Sequence, residues 1–256
     1  MHSFKISVLG SGSDGNATWV EAQDGSALLV DIGFSKRDIL TRIKMIGKTP
    51  SALLGILLTH SHDDHIKGVE FAREYHIPVY AADYLAPSLQ NNFVVVPFSK
   101  QKKFRIKDFC VSAFSVPHDR ENVGFRIDIN GASLGYLTDL GCATKEMEKY
   151  LAGINALVVE FNHDVEMLKN GSYRPHLKSR ILGPRGHLSN ESASALLCSV
   201  LHSGCRAIFP AHISENNNTH KLALSSAKDA CKKMNCSPEV HLTYQGEPTE
   251  IISVSA

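Results

Sequence analysis

The sequence predicts an α/β (α+β) chain built as two β-rich halves, each covered by helices. Short apolar strands alternate with helical stretches, and that order runs twice along the 256 residues. The middle of the chain is a run of strands, including a hairpin marked by Asn130-Gly131. Residue types able to bind metal recur just past strand ends, which places them along one edge of the sheets. This pattern does not suit one doubly wound parallel sheet.

Taken in order, strands are expected over Phe4 to Leu9, Ala17 to Glu21 and Leu28 to Asp31. A helix follows from Lys36 to Ile46, with Ile39, Leu40, Ile43 and Ile46 at helical spacing. The apolar run from Leu53 to Leu58 reads as a buried strand, followed by a turn at His60 and a helix to about Tyr75. Val79-Tyr80 and Val94 to Val96 are further short strands. Phe109 to Val116, Val123 to Ile129 and Ala132 to Thr138 form the β-rich middle. A helix near Thr144 to Leu151 precedes a buried strand at Ala156 to Val159. Asn190 to Leu201 and Leu222 to Met234 read as helices on either side of the strand Ala207 to Phe209. A last strand covers Thr249 to Val254.

The length suits one domain over residues 1–256, with ample material for a core. No run approaches the ~18 apolar residues that span a bilayer, and the N-terminus lacks the features of a signal peptide. Six cysteines without a CxxC pair suit reduced thiols, so a cytoplasmic location is expected. A net charge of +1 gives no nucleic-acid signal by itself. Its distribution does. From Met167 to Arg185 there are Lys169, Arg174, Lys178, Arg180 and Arg185 with no acid, read as a loop that clamps phosphates.

Gly10-Ser11-Gly12-Ser13-Asp14-Gly15 imitates a dinucleotide fingerprint. That motif needs a helix to start at the glycines. Here a strand, Ala17 to Glu21, comes next. The segment is therefore read as a tight turn, with Asn16 bordering a site.

The string His60-Ser61-His62-Asp63-Asp64-His65 carries the most chemistry. Four potential ligands crowd into six residues at a strand end. Imidazoles so close repel one another when protonated, whereas neutral nitrogens beside a carboxylate suit a divalent metal. His118, Asp139 and His212 lie just after other strands. His2, His76, His202 and His241 have no companions at ligand spacing and are assigned to surfaces or ordinary hydrogen bonds.

With these residues in place the chain resembles the metallo-β-lactamase-fold hydrolases. The resemblance implies a four-layer αββα sandwich. It implies two divalent ions, zinc or manganese with iron as a further candidate. His60, His62 and His118 would hold the first, Asp64, His65 and His212 the second, and Asp139 would bridge them. Asp31 would support the site from behind. Val159 to Asp164, His176 to Lys178, Arg180 to Leu182, Gly186 to Glu191 and His212 to Asn217 are similar to the WalJ/YycJ group within this superfamily, whose name is associated with 5′-exonuclease activity on double-stranded DNA.

The chemistry can also be read from the residues. Two ions about 4 Å apart activate water and neutralise charge on a phosphoryl oxygen. A phosphodiester leaving group benefits from a proton, which suits His187 oriented by Glu160. Asp64, Glu160 and His187 form the expected catalytic set. Ser189 is a plausible N-cap, so the helix beginning at Asn190 presents amides to a phosphate. Asn16, Lys178, Arg180, Ser189 and Asn190 are the expected substrate contacts, with DNA favoured over RNA and no membrane partner. The competing readings are a small-molecule phosphodiesterase of cyclic-nucleotide type, a tRNA-processing ribonuclease, and a metal-stabilised binding protein without turnover. Asp139 and Glu160 are only twenty-one positions apart, too few for a large inserted nuclease domain.

Overall fold

The computed structural model describes residues 3–89, 94–100 and 102–256. His2, assigned to the surface, lies outside the described residues. In chain order the first elements are β1 (Ser3–Gly10), β2 (Ala17–Glu21), β3 (Ala27–Val30), α1 (Lys36–Met45), β4 (Leu53–Leu57), α2 (Asp63–Ile66), α3 (Val69–Glu74), β5 (Val79–Ala82), β6 (Val95–Phe98) and β7 (Phe104–Ile106). The middle contributes β8 (Phe109–Val116), β9 (Asn122–Ile129), β10 (Ala132–Leu137), α4 (Lys145–Leu151) and β11 (Ala156–Glu160). The last part holds α5 (Val165–Asn170), α6 (Pro175–Leu182), α7 (Asn190–Val200), β12 (Ala207–Ala211), α8 (His220–Lys233), β13 (Glu239–Val240) and β14 (Ile252–Ser255).

The strands form two mixed sheets of seven. One runs β14-β1-β2-β3-β4-β5-β6 and the other β13-β12-β11-β10-β9-β8-β7. Each has an antiparallel part and a parallel part: β3 to β6 in the first sheet and β10 to β13 in the second are parallel. This is the α/β class with helix-covered sheets that the sequence predicts. The chain divides into two compact units, residues 1–113 with 127–132 and 244–256, and residues 114–126 with 133–243.

In the first unit, α1 starts at Ser35, whose side chain accepts from the Asp38 N–H, and buries Ile39 and Ile43. Phe71 and Ala72 of α3 join them in one apolar cluster with Leu9, Trp19, Leu29 and Ile56. Complete burial of such side chains contributes roughly 1.5–3 kcal/mol each. The single helix expected after His60 is two helices. Gly68 separates them, and its N–H donates to the Ile32 carbonyl at 2.8 Å. A Cβ there would lie 2.4 Å from the Phe34 carbonyl oxygen, so the segment that follows β3 approaches too closely for any residue but glycine. The glycine-rich segment after β1 is a turn leading into β2, with no helix at the glycines.

In the second unit, α4, α7 and α8 pack on β10, β11 and β12. Ala193, Leu196, Leu197 and Val200 of α7 and Ala223, Ala227 and Ala230 of α8 share that core. Thr144, Ser189 and Thr219 cap these helices through their side chains. The basic segment expected as a loop contains α5 and α6. Its helices are short, one capped by Asp164 and one begun by Pro175, and their apolar pattern is too brief to register as a periodicity.

Candidate metal centre

The functional side chains follow the C-terminal ends of strands, where side chains at successive parallel strands gather beyond the sheet. In the first unit β3 ends at Val30, just before Asp31, and β4 leads to Thr59 and His60. Asp31 is wholly buried, and its carboxylate organises the cluster. It accepts from the Thr59 N–H at 2.9 Å, from the Thr59 hydroxyl at 2.9 Å and from His65 Nδ1 at 2.8 Å. His60 Nδ1 lies 3.0 Å from the same hydroxyl. With Nδ1 donating on both rings, Nε2 of each is the nitrogen left to bind metal. His60 Nε2 is 3.0 Å from His62 Nδ1. His65 Nε2 is 3.5 Å from Asp64 Oδ2.

In the second unit Asp139 and His212 follow β10 and β12, His187 precedes α7, and Glu160 ties these three together. Glu160 is fully buried at the end of β11. Its Oε1 accepts from His187 Nδ1 at 2.9 Å and from His212 Nδ1 at 2.8 Å. It also accepts from the backbone N–H groups of Asp139, Leu140 and Leu188 at 3.3, 3.1 and 2.8 Å. Burial works to raise its pKa, but the charge of His187 and the hydrogen bonds from His187 and His212 outweigh burial and bring it down to about 2. Burial likewise opposes the charged form of His187 and of His212. The Glu160 charge next to His187, and those of Asp139 and Glu160 next to His212, raise both. His118, after β8, sets Nδ1 3.2 Å from the Gly186 carbonyl and lies 5.3 Å from His187 between ring centroids.

Three of these residues hold left-handed backbone conformations: Asp31 (φ 60°), Asp139 (φ 57°) and His212 (φ 52°). Such positions cost on the order of 1–3 kcal/mol each and concentrate where function demands a particular side-chain direction.

The expected substrate contacts divide. Lys178 and Arg180 lie on α6. Arg180 Nε donates to Asp119 at 2.8 Å, beside His118, and Lys178 Nζ donates to the Lys169 carbonyl. Asn16 is fully buried, and its amide lies 3.1 Å from both the Gly12 carbonyl and His65 Nε2, which places it against the histidine cluster. The Asn190 N–H donates to the His163 carbonyl and its side-chain amide exchanges hydrogen bonds with Asn218. Ser189 spends its hydroxyl on capping α7. The α7 N-terminus is thus largely satisfied within the protein. Of the neighbouring residues, Asp164 caps α5, His176 is exposed, and burial holds His163 below its ordinary pKa. Thr59 is a residue that the sequence reading missed. A hydroxyl directly before the ligand string was the available signal.

The donor set suits a divalent cation. Asp139, Glu160, His187 and His212 each offer a ligand atom within 4.8 Å of the others, and all are nitrogen or carboxylate oxygen. Buried carboxylates fixing imidazoles through Nδ1 are the arrangement that orients histidine ligands to metals.

Strand-end imidazoles and carboxylates on two mixed sheets define a metallo-hydrolase. Residues 27–213 match the model of the Beta-lactamase superfamily domain. The chain is 35% identical over 258 aligned positions to the exodeoxyribonuclease YycJ of Bacillus anthracis, covering 96% of this chain and 97% of the relative. It is 34% identical over 230 positions to the exodeoxyribonuclease WalJ of Streptococcus pneumoniae, covering 86% and 85%. It belongs to the YycJ/WalJ family of the metallo-β-lactamase superfamily. The fold is shared with the metallo-β-lactamase-fold protein YhfI of Bacillus subtilis (TM-score 0.74, 17% identity, 96% of this chain and 99% of the other). It is also shared with the short form of human tRNase Z (TM-score 0.65, 15% identity, 97% and 99%).

Proposed function

We propose that this chain is a DNA exonuclease that digests from 5′ ends. The carrying observation is the identity, over nearly the whole of both chains, to a relative named an exodeoxyribonuclease. In this reading the two units act as one catalytic domain. His60, His62 and His118 hold one divalent ion, Asp64, His65 and His212 a second, and Asp139 serves both, with zinc or manganese as the metal. Bound there, the ions supply Lewis acidity towards a phosphoryl oxygen and activate water as the nucleophile.

The chain's own residues supply the rest. Glu160 is a positioning residue, since both its oxygens are taken by internal donors. It fixes His187 through Nδ1 and leaves Nε2 to deliver a proton to the leaving oxygen. His187 keeps 17% of its side chain exposed, which suits contact with substrate. Lys178 and Arg180 supply positive charge for the DNA backbone. No helix among the described residues is long and apolar enough to cross a membrane. The expected place of action is the cytoplasm.

Duplex DNA labelled at the 5′ or the 3′ end, digested after reconstitution with each metal, tests this reading. Early release of the 5′ label as mononucleotide is expected. Hydrolysis confined to small phosphodiesters, with long DNA intact under every metal, would overturn it.

A further inference from the structure

Asp139 and His212 share more than a left-handed backbone. Asp139 is the second residue after β10 and His212 the first after β12, and each has its own carbonyl held by a buried asparagine at the end of the neighbouring strand or just past it. Asn122, the first residue of β9, donates Nδ2 to the carbonyls of Asp139 at 2.9 Å and Thr138 at 3.0 Å. Asn162, two residues past β11, donates Nδ2 to the His212 carbonyl at 2.9 Å. In the second sheet β9 adjoins β10, and β11 adjoins β12. The same device therefore occurs twice: an asparagine reaches sideways to the carbonyl of a strained residue at the end of the next strand.

The chemistry explains the residue type. In both turns the asparagine Nδ2 supplies a donor to a buried carbonyl. Losing such a donor would cost about 1–3 kcal/mol. An amide can donate, whereas a carboxylate of the same shape would oppose oxygen to oxygen. Asn162 does more. Its N–H donates to the Leu188 carbonyl at 3.0 Å and its carbonyl accepts from the Ser214 N–H at 2.9 Å. It thereby connects the segment bearing His187 to the loop bearing His212.

We infer that Asn122 and Asn162 are positioning residues of the metal site, each fixing the direction of one ligand side chain by holding that residue's carbonyl in its left-handed turn. This rests on the metal reading proposed above. Releasing the carbonyl lets the backbone relax towards an ordinary conformation, and the side chain swings with it. A ligand displaced in this way weakens the ion without removing a donor.

The test uses the full chain with Asn122→Asp, Asn162→Asp and a control, Asn218→Asp. Asn218 is a buried asparagine bonded to Asn190 and the Phe161 carbonyl and to none of the proposed ligands. Zinc affinity is measured by competition with a chromophoric chelator, the visible spectrum is recorded on the cobalt-substituted protein, and thermal unfolding is followed without metal. Both test variants should lose zinc affinity by roughly 10–100-fold and show an altered cobalt spectrum. The control should unfold earlier yet keep wild-type affinity and spectrum. Should an aspartate variant fail to fold, Asn122→Ser or Asn162→Ser, with a shorter donor, is measured instead and should show the same two losses. Wild-type affinity and spectrum in folded variants of both positions would overturn the inference. A wild-type chain that binds no zinc or cobalt would sink the metal reading first, and this inference with it.

Discussion

The two units solve one problem with different materials. In each, a fully buried carboxylate gathers imidazoles through Nδ1 and leaves Nε2 on the far side of each ring. Asp31 takes His65 directly and His60 through the Thr59 hydroxyl. Glu160 takes His187 and His212 directly. The difference lies in the remaining donors. Asp31 draws on one backbone N–H and one hydroxyl of Thr59, whereas Glu160 draws on three backbone N–H groups from two segments. One carboxylate braces a single loop, and the other joins strand ends that are far apart in sequence.

The largest expected effect exploits that contrast. Glu160→Gln puts an NH2 where only donors point, on either side of the amide. Asp31→Asn can direct its NH2 at the imidazole, which can change tautomer to accept it. Glu160→Gln should therefore destabilise the metal-free chain by about 3 kcal/mol and Asp31→Asn by about 1 kcal/mol. Urea unfolding of both variants checks this, and equal losses would break the comparison.

Next in size is catalysis. His187→Ala should lower kcat for DNA by roughly 10²–10⁴-fold while zinc content stays at the wild-type level. Steady-state digestion alongside elemental analysis separates the two quantities. Loss of an ion in this variant would make His187 a ligand rather than a proton donor.

A smaller effect concerns acid. The folded pKa of Glu160 is about 2, below the ordinary 4.5, so its contribution is present above pH 4.5 and is lost as pH falls towards 2. The full swing is on the order of 3 kcal/mol. In metal-free protein, stability measured from pH 5 to pH 2 should fall more steeply for wild type than for Glu160→Gln. Parallel curves would show that the carboxylate does not titrate as a paired group.

The same contrast explains what could be read from the sequence. The ligands of the first unit lie within six residues after an apolar strand, so local spacing exposes them. Those of the second unit are single residues at separate strand ends, each unremarkable alone, and only the ordered resemblance collects them. Secondary structure was legible where apolar runs were long, as in β8 and α7. The break at Gly68 was not, because it depends on the approach of Ile32 and Phe34 after β3, and neither were α5 and α6, whose helices rest on the Asp164 cap and on Pro175 at the first helical position more than on periodicity. The polarity of Asn16 and Asn190 is visible in sequence, whereas their internal partners, His65 and Asn218, are not. Asn122 and Asn162 were invisible for the same reason.

The most direct measurement is the metal content of the chain, stripped with chelator and then reconstituted with zinc, compared for wild type and Asp139→Ala. The account predicts two ions per wild-type chain and a loss of tight binding in the variant. Wild-type protein that stays free of metal, or an Asp139→Ala protein that retains both ions with full affinity, would contradict it.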